Sequence, residues 1–537
     1  MSTSCGNPAT EQDALMTRRT KFDQTKTCVK CKGRTGNIVI RHAVYCKVCF
    51  FPLVSTRFRK VLGPTINAGG RTPKNANARG GRLRGLLKAP GSLVIGHSGG
   101  LGSTVLLDLV AKSYFYRSTT TAGDDSSALG TEHPRNKAKE DGGSADVWKG
   151  NPAVCYVEVA SAIPGAKDRT EEVRAVIQAY SDPLTKFEID FIPLRLEDVF
   201  DVAWWKSVAL PMRHKDANAT PLQSLHAYLS SLPTPTAVHS AISSLIRVLL
   251  LYTSASRNAS HLLLGTSLTS LSMNTISGLA QGAGFALVSE SIDEGWTPTH
   301  SQHINIVRPL RDVGIKESAF WAWWLKLPVA GRDRYPSTSS SIDALTYNFI
   351  MGLEKDYPST VSTIARTIAK VTTKETGVEG GCILCQKPAQ RNVQAWKASI
   401  SIRSYHDESF VNAKHPLPPH YTAPPALEET TDAEPSFPTS VYLAPRLCYA
   451  CHTTFTSRSS RGSSSANSIV IPLPVWVKAN VTLLDPAGGS DSAILTNDMD
   501  RTQGDVAGED AEVWKVKKLS PGHIKDKIGG FLLDDAE

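Results

Sequence analysis

Carboxylates are scarce in the first 90 residues of this 537-residue chain. Glu11, Asp13 and Asp23 stand against 18 lysines and arginines, a local net charge of +15. The whole chain carries +9, so about −6 is left for everything after residue 90. A basic end on a near-neutral body is the electrostatic footprint of a polyanion binder, most often of nucleic acid. No apolar run approaches the roughly 18 residues a membrane span needs, so no membrane partner is expected. The first twenty residues also lack the apolar core of a secretory signal, which makes the cytosol or nucleus the expected compartment. With 41% hydrophobic and 20% charged residues the chain reads as globular, interrupted by polar stretches and long enough for two or three domains.

Cysteine is sparse in the middle of the chain and clustered at its ends. Between Cys49 and Cys382 there is only Cys155, on an apolar run and expected in the core. Eight of the ten cysteines form four C-x-x-C pairs: Cys28/Cys31, Cys46/Cys49, Cys382/Cys385 and Cys448/Cys451. Two thiolates on one tight turn grip a zinc ion, and a second such turn completes a tetrahedral set. The first two pairs are 14 residues apart, the spacing of a small ribbon or treble clef. The second two are 62 residues apart, across a Pro-rich, acidic stretch that reads as an insertion. Loop closure grows costly only slowly with length, so these too are expected to share one structural zinc. His452 follows Cys451 directly and is expected as a neighbour, since four thiolates suffice.

The texture divides the chain into a disordered tail (1–20), an N-terminal four-cysteine module (21–60) and a basic flexible linker (61–90). An α/β body (91–375) follows with a disordered insertion at 117–150, then a second four-cysteine module (376–460) and a partly disordered extension (461–537). Strands are expected at 93–95, 154–159, 187–192 and 261–265, helices at 104–114, 171–180, 241–254, 277–282 and in "ESAFWAWWLKL", and an apolar segment lies near 304–307. The stretch "TSLTSLSMN" is expected as a loop, and 467–484 contains strand-like runs. Strand–helix alternation of this kind predicts a parallel sheet with helices on both faces.

A glycine loop, "SGGLGST", stands directly after the first strand, where open α/β sheets bind phosphate against a helix N-terminus. It lacks the third glycine of a dinucleotide fingerprint. The overlapping G-x-x-x-x-G-H-S at Gly91 to Ser98 has His97 in place of the Walker lysine, and its middle, "SLVI", is strand rather than loop.

Ser98, Gly99, Gly100 and Ser103 resemble the SGG-x-D-S loop of the PP-loop ATP-pyrophosphatases, which adenylate a substrate; Gly102 stands where that family has Asp. A basic four-cysteine module before such a domain and a cysteine pair after it resembles the layout of tRNA thiolation proteins. The segment "CVKCKGRTGNIVIRHAVYCKVCFFPLVSTRFRKVLG" most resembles the cytoplasmic tRNA 2-thiolation protein 2 family. "RPLRDVGIKESAFWAWWLKL" and "MGLEKDYPSTVSTIARTIAKV" carry the resemblance further. Catalytic relatives have a G-H-N-x-x-D-D type motif where this chain reads Gly265-Thr266-Ser267-Leu268-Thr269-Ser270, and a cysteine pair inside the PP-loop domain where this chain has none.

The resemblance implies a degenerate PP-loop (adenine nucleotide alpha hydrolase-like) α/β fold and a cytoplasmic subunit with no catalytic residues of its own, so that ATP is not expected to be used by this chain. It implies a heterodimer with a catalytic PP-loop thiolase subunit that 2-thiolates wobble uridine in tRNAs for Lys, Glu and Gln. Sulfur would come from a thiocarboxylated ubiquitin-related carrier, and a link to conjugation of that carrier to proteins is implied as well. Arg57, Arg59 and Lys60, in the basic end of the first module, are the candidate tRNA contacts. Two other readings stay open: an adenylating tRNA sulfurtransferase active in its own right, and a zinc-ribbon factor that binds duplex DNA.

Overall fold

Leu93, Val94 and Ile95 are consecutive, apolar and fully buried, which requires a strand covered on both faces. In the computed structural model they lie in the third strand of the chain. The structure describes residues 27–41, 43–66, 87–115, 147–163, 165–181, 188–208, 219–298, 302–331, 341–371, 381–389, 446–456 and 473–477. Most of the expected linker and insertion, the Pro-rich stretch and the chain's amphipathic end lie outside these residues.

A hairpin of β1 (Ile38–Ile40) and β2 (Ala43–Tyr45) leads into α1 (Lys47–Ile66). The body is a six-stranded sheet built from β3 (Ser92–His97), β4 (Ala153–Glu158), β5 (Asp190–Arg195), β6 (Ala259–Leu264), β7 (Glu294–Trp296) and β8 (Ile304–Val307). Its order is β5-β4-β3-β6-β8-β7; every pairing is parallel except that of edge strand β7 with β8. Order reverses beside β3, so the crevice at its carboxyl end is the topological switch point, where the glycine loop sits.

The two faces carry separate cores, sorted by the two-residue period of each strand. Leu93, Ile95, Val154, Tyr156, Leu263 and Val307 face α1, α2 (Leu101–Val110), α3 (Thr170–Gln178) and α9 (Ile315–Trp324). Val94, Cys155, Val157, Leu262 and Ile306 face α5 (Pro221–Ser230) and α6 (Pro235–Ser256). Helix α4 (Val202–Ser207) carries Trp205 into that second core. Helices α7 (Leu268–Ala280), α8 (Gly284–Ser291), α10 (Ile342–Asp356) and α11 (Pro358–Ile368) pack beside one another, and α12 (Tyr449–Thr456) lies against α6.

Several elements differ from expectation. "TSLTSLSMN" is the start of α7, not a loop: Ser267 Oγ caps it by accepting from Ser270 N at 3.2 Å, and Leu268 and Leu271 are buried one turn apart. Strand β5 begins at Asp190 because its register is set by pairing with β4, Ala153 opposite Asp190 through Glu158 opposite Arg195. Of the 467–484 stretch only 473–477 is described, and 475–477 form a helical turn. Helix α1 runs past residue 60 to Ile66, and Leu87 and Ala89, also in the expected linker, are buried. Val147 and Trp148, in the expected insertion, are buried too, with Trp148 packed edge-on to Tyr114 at 5.0 Å.

Helix α6 has its apolar sequence interrupted by His239 and Arg247 and holds no continuous apolar run of membrane length. By length and composition it is apolar enough to cross a membrane, yet 61% of its most apolar window is buried in the protein. Leu245, Val248 and Leu249 on it are fully buried against the sheet.

Candidate functional site

The four N-terminal cysteines converge. Cys28 and Cys31 sit on a turn closed by Lys32 N donating to Cys28 O at 2.8 Å, with Lys32 at φ +55°. Cys46 and Cys49 open α1, whose first N–H, on Lys47, is accepted by Asn37 Oδ1 at 3.0 Å. The C-terminal set repeats this design. Gln386 N donates to Cys382 O at 2.9 Å, Gln386 is at φ +56°, and Cys448 and Cys451 stand at the start of α12. In each set one pair lies on a left-handed turn and the other on the first turn of a helix.

Within each set the four sulfurs lie within 4.8 Å of one another. Cys31 Sγ is 3.8 Å from Cys46 Sγ, and Cys385 Sγ is 3.8 Å from Cys448 Sγ. A tetrahedral ion with metal–sulfur bonds of about 2.3 Å places its sulfurs about 3.8 Å apart, so the donor sets fit one four-coordinate ion each. The thiols are polarised unevenly. Burial works to raise Cys28, but backbone N–H groups of Cys31, Cys46 and Lys30 outweigh it and bring the thiol down to about 6. Cys49 is pushed up to about 12 by burial and its three thiol neighbours. Four thiols this close need a cation at their centre to ionise together. His452, also buried, donates its backbone N–H to Cys448 O at 2.9 Å and lies outside the four-sulfur group.

The two sets sit on opposite faces of the sheet. On the first, Phe50 of α1 meets Trp324 at 5.0 Å and Phe51 meets Trp321 at 5.1 Å, ring centre to ring centre. On the second, Trp476 donates to Ile383 O at 3.0 Å and packs on Trp205 at 5.5 Å. A buried charge group ties the second set to the sheet edge. Arg247 Nε donates to Cys385 O at 3.1 Å, Arg247 and Arg308 both pair with Glu294, and Lys387 pairs with Glu290. Although burial opposes it, Lys387 and Arg308 hold the Glu290 carboxyl down to about 2. Sequence reading missed this group, because its paired members are 14 to 138 residues apart and no local spacing announces them.

The glycine loop is filled by its own protein. Gly99 takes φ +74°, where a Cβ would lie 2.4 Å from Gly331 O, and Gly331 N donates to Gly99 O at 2.9 Å. Gly99 N donates to His97 Nδ1 at 3.1 Å, and burial lowers that imidazole to about 4. Ser103 Oγ donates to Gly100 O at 2.8 Å and stands 3.4 Å from Ser98 Oγ. A Cβ on Gly102 would meet the carbonyl oxygen of Gly265 at 2.3 Å, and one on Gly265 would meet Ser103 N at 2.6 Å. Two backbones therefore occupy the place of an acidic side chain. A cavity of about 760 Å³ runs from Ser98 and Gly102 past Arg247 to Cys385 and Tyr449. Cys155 borders it but is fully buried, its thiol raised to about 12 by burial.

The candidate polyanion contacts on α1 do not share one exposed face. Arg57 Nη1 donates to both oxygens of Glu317, at 2.9 and 3.0 Å. Arg59 is half-buried beside Tyr114, and Lys60 is exposed.

The architecture is therefore that of a parallel α/β sheet with a glycine loop at its switch point and a metal-competent cysteine tetrad on each face. A family model described as "Cytoplasmic tRNA 2-thiolation protein 2" matches residues 341–453, which take in α10, α11 and the second tetrad. The protein of that name from Danio rerio is 27% identical over 372 residues, 65% of this chain and 68% of its own length. The Bos taurus protein is 26% identical over 67% of this chain and 71% of its own length. Protein 2-B from Xenopus laevis is 32% identical, over only 33% of this chain and 35% of its own length. These matches show the resemblance to the cytoplasmic tRNA 2-thiolation protein 2 family. Among solved structures, the U34-tRNA thiolase NcsA from Methanococcus maripaludis, with its iron–sulfur cluster, aligns with a TM-score of 0.41 and 17% identity over 72% of this chain and 99% of its own.

Proposed function

We propose that this chain is a cytoplasmic subunit of a tRNA thiolation complex, structural and tRNA-binding rather than catalytic. It takes part in 2-thiolation of wobble uridine in tRNAs for Lys, Glu and Gln, beside a catalytic PP-loop thiolase subunit. Sulfur is delivered by a thiocarboxylated ubiquitin-related carrier, and the complex takes part in conjugating that carrier to proteins. The reading is supported by the relatives' shared name and the family match. One observation carries the non-catalytic part: Gly265 is pressed against Gly102, so the loop has no room for the acid that would organise a metal and pyrophosphate.

Zinc is the proposed ion at both tetrads, bound by Cys28, Cys31, Cys46 and Cys49 and by Cys382, Cys385, Cys448 and Cys451. A closed four-thiolate set leaves no open position for substrate, so bound zinc would supply cross-linking of the fold and no chemistry of its own. Ser98, Gly99, Gly100 and Ser103 keep the turn between β3 and α2.

The experiment is affinity purification of the tagged chain from cells, with identification of bound protein and RNA, beside an ATP-to-AMP assay on the isolated chain. A thiolase subunit and tRNA in the eluate, with no AMP formed by the chain alone, are expected. AMP formation by the isolated chain would favour an active adenylating enzyme, and capture of duplex DNA in place of tRNA would favour a DNA-binding factor.

A further inference from the structure

We infer that the RNA-docking face of this chain is the outer end of the N-terminal tetrad, formed by Lys30, Lys32, Arg34 and Lys47 around Val29 and Val48, and not Arg57, Arg59 and Lys60 further along α1. The inference rests on the RNA-binding reading above and gives it a place. Arg57 is committed to Glu317 and Arg59 is half-buried, so of the three cations in the middle of α1 only Lys60 is exposed. The tetrad end is different. Lys30, Lys32 and Arg34 are all exposed on the first turn, and Lys47 is exposed on the second.

Two apolar side chains project from the same two turns. Val29, between Cys28 and Cys31, is 57% exposed; Val48, between Cys46 and Cys49, is 44% exposed. Each turn thus presents a partly exposed valine beside its cations. Set among cations, such side chains suit a polyanion that also offers apolar faces, which nucleic acid does through its sugars and bases. No acidic residue occurs from Gln24 to Leu107, so this stretch holds no carboxylate to compete with phosphate. A metal ion held by the four sulfurs would fix both turns relative to one another, so the cations would be held in place before RNA arrives and less ordering would be needed on binding.

The test uses the full-length chain with its co-purified partner and an unmodified tRNA transcript, with affinity measured across a salt series. The variant Lys30→Glu, Lys32→Glu, Arg34→Glu, Lys47→Glu is compared with Lys60→Glu and with wild type. Metal content and melting temperature serve as controls for folding. The quadruple variant is expected to bind at least tenfold more weakly, with the slope of log affinity against log salt reduced by about three, because each lost phosphate contact removes roughly one counterion. Lys60→Glu is expected to stay within about twofold of wild type, and four Lys/Arg exchanges on the tetrad should retain affinity. A folded, metal-loaded quadruple variant that binds as wild type does overturns this placement while leaving the RNA reading intact. Wild type that binds no tRNA overturns the RNA reading itself. Polyglutamate competing as well as tRNA at equal charge would show an acidic-protein surface instead and overturn the assignment to RNA.

Discussion

Arg57 Nη1 divides its hydrogen bonds between the two carboxylate oxygens of Glu317, 260 residues away in sequence. The same Glu317 Oε2 accepts from Gly314 N at 3.0 Å and so caps α9. One carboxylate thus fastens the helix that follows the first tetrad to the Trp-rich helix of the body. Its side chain is only 8% exposed, against 22% for Arg57.

Arg57→Ala should therefore act on folding, not on RNA contact. It leaves Glu317 buried without its cation, at a cost of about 3 kcal/mol, and should lower the melting temperature of the whole chain. At a temperature where both proteins are folded, tRNA affinity should match wild type. A stable variant with weakened RNA binding would return Arg57 to the contact surface.

Metal should be held at two sites of unequal access. Elemental analysis is expected to give two zinc ions per chain, one lost in Cys31→Ser and the other in Cys448→Ser. Cys31 is exposed and Cys49 half-buried, whereas all four C-terminal cysteines are buried. A chelator should strip the N-terminal ion first, and the protein should then unfold at that end, because metal binding and folding are linked. Simultaneous release, or iron in place of zinc, would contradict this.

Acid should weaken the fold before any catalytic group could matter. Burial lowers both His97 and His261 from the ordinary 6.5 to about 4. In each case the unfolded chain takes up a proton that the folded chain refuses. Stability is thus full above 6.5 and falls as pH drops from 6.5 toward 4. One unit below 6.5 each histidine costs about 1.4 kcal/mol. Urea midpoints at pH 7.5 and 5.5 should differ accordingly, and His97→Gln should flatten the dependence. An unchanged slope in that variant would remove His97 from the account.

Filling the loop should break it. Gly102→Asp restores the acid of the PP-loop pattern but drives its Cβ toward the Gly265 carbonyl, 2.3 Å from the ideal position. Overpacking against backbone costs about 1–3 kcal/mol or more. The expected result is reduced soluble yield and a lower melting temperature, with no ATP turnover gained. A variant as stable as wild type would mean that the loop and the Gly265 segment separate easily.

The parts of the fold that read correctly from sequence are those specified locally. Leu93-Val94-Ile95 is apolar and buried throughout, and its shortness together with the glycine loop that follows marks it as a strand. Cysteine spacing placed both tetrads because four thiols leave few alternatives. The first two turns of α7 were not legible, because Ser and Thr are poor helix formers. In place they bond backward, Ser272 Oγ to Leu268 O at 3.1 Å and Thr275 Oγ1 to Leu271 O at 2.8 Å. The missing acid at Gly102 could be seen in the sequence. The backbone that fills its place could not, since Gly265 arrives from another strand's end. Nor could the positive charge of α1 reveal that Glu317 would take Arg57 out of use.

The central claim is that the glycine loop is architectural, and wobble-uridine thiolation in cells whose only copy of this gene carries Ser98→Ala or Ser103→Ala tests it most directly. Both hydroxyls sit in the loop, 3.4 Å apart; Ser98→Ala loses that contact, and Ser103→Ala also loses its bonds to Gly100 O and Ser98 N, all of them local and each worth about 1 kcal/mol. The account predicts thiolation close to wild type in both strains, with normal protein level and partner binding. Loss of the modification at normal protein level and partner binding would show a working nucleotide site and contradict it.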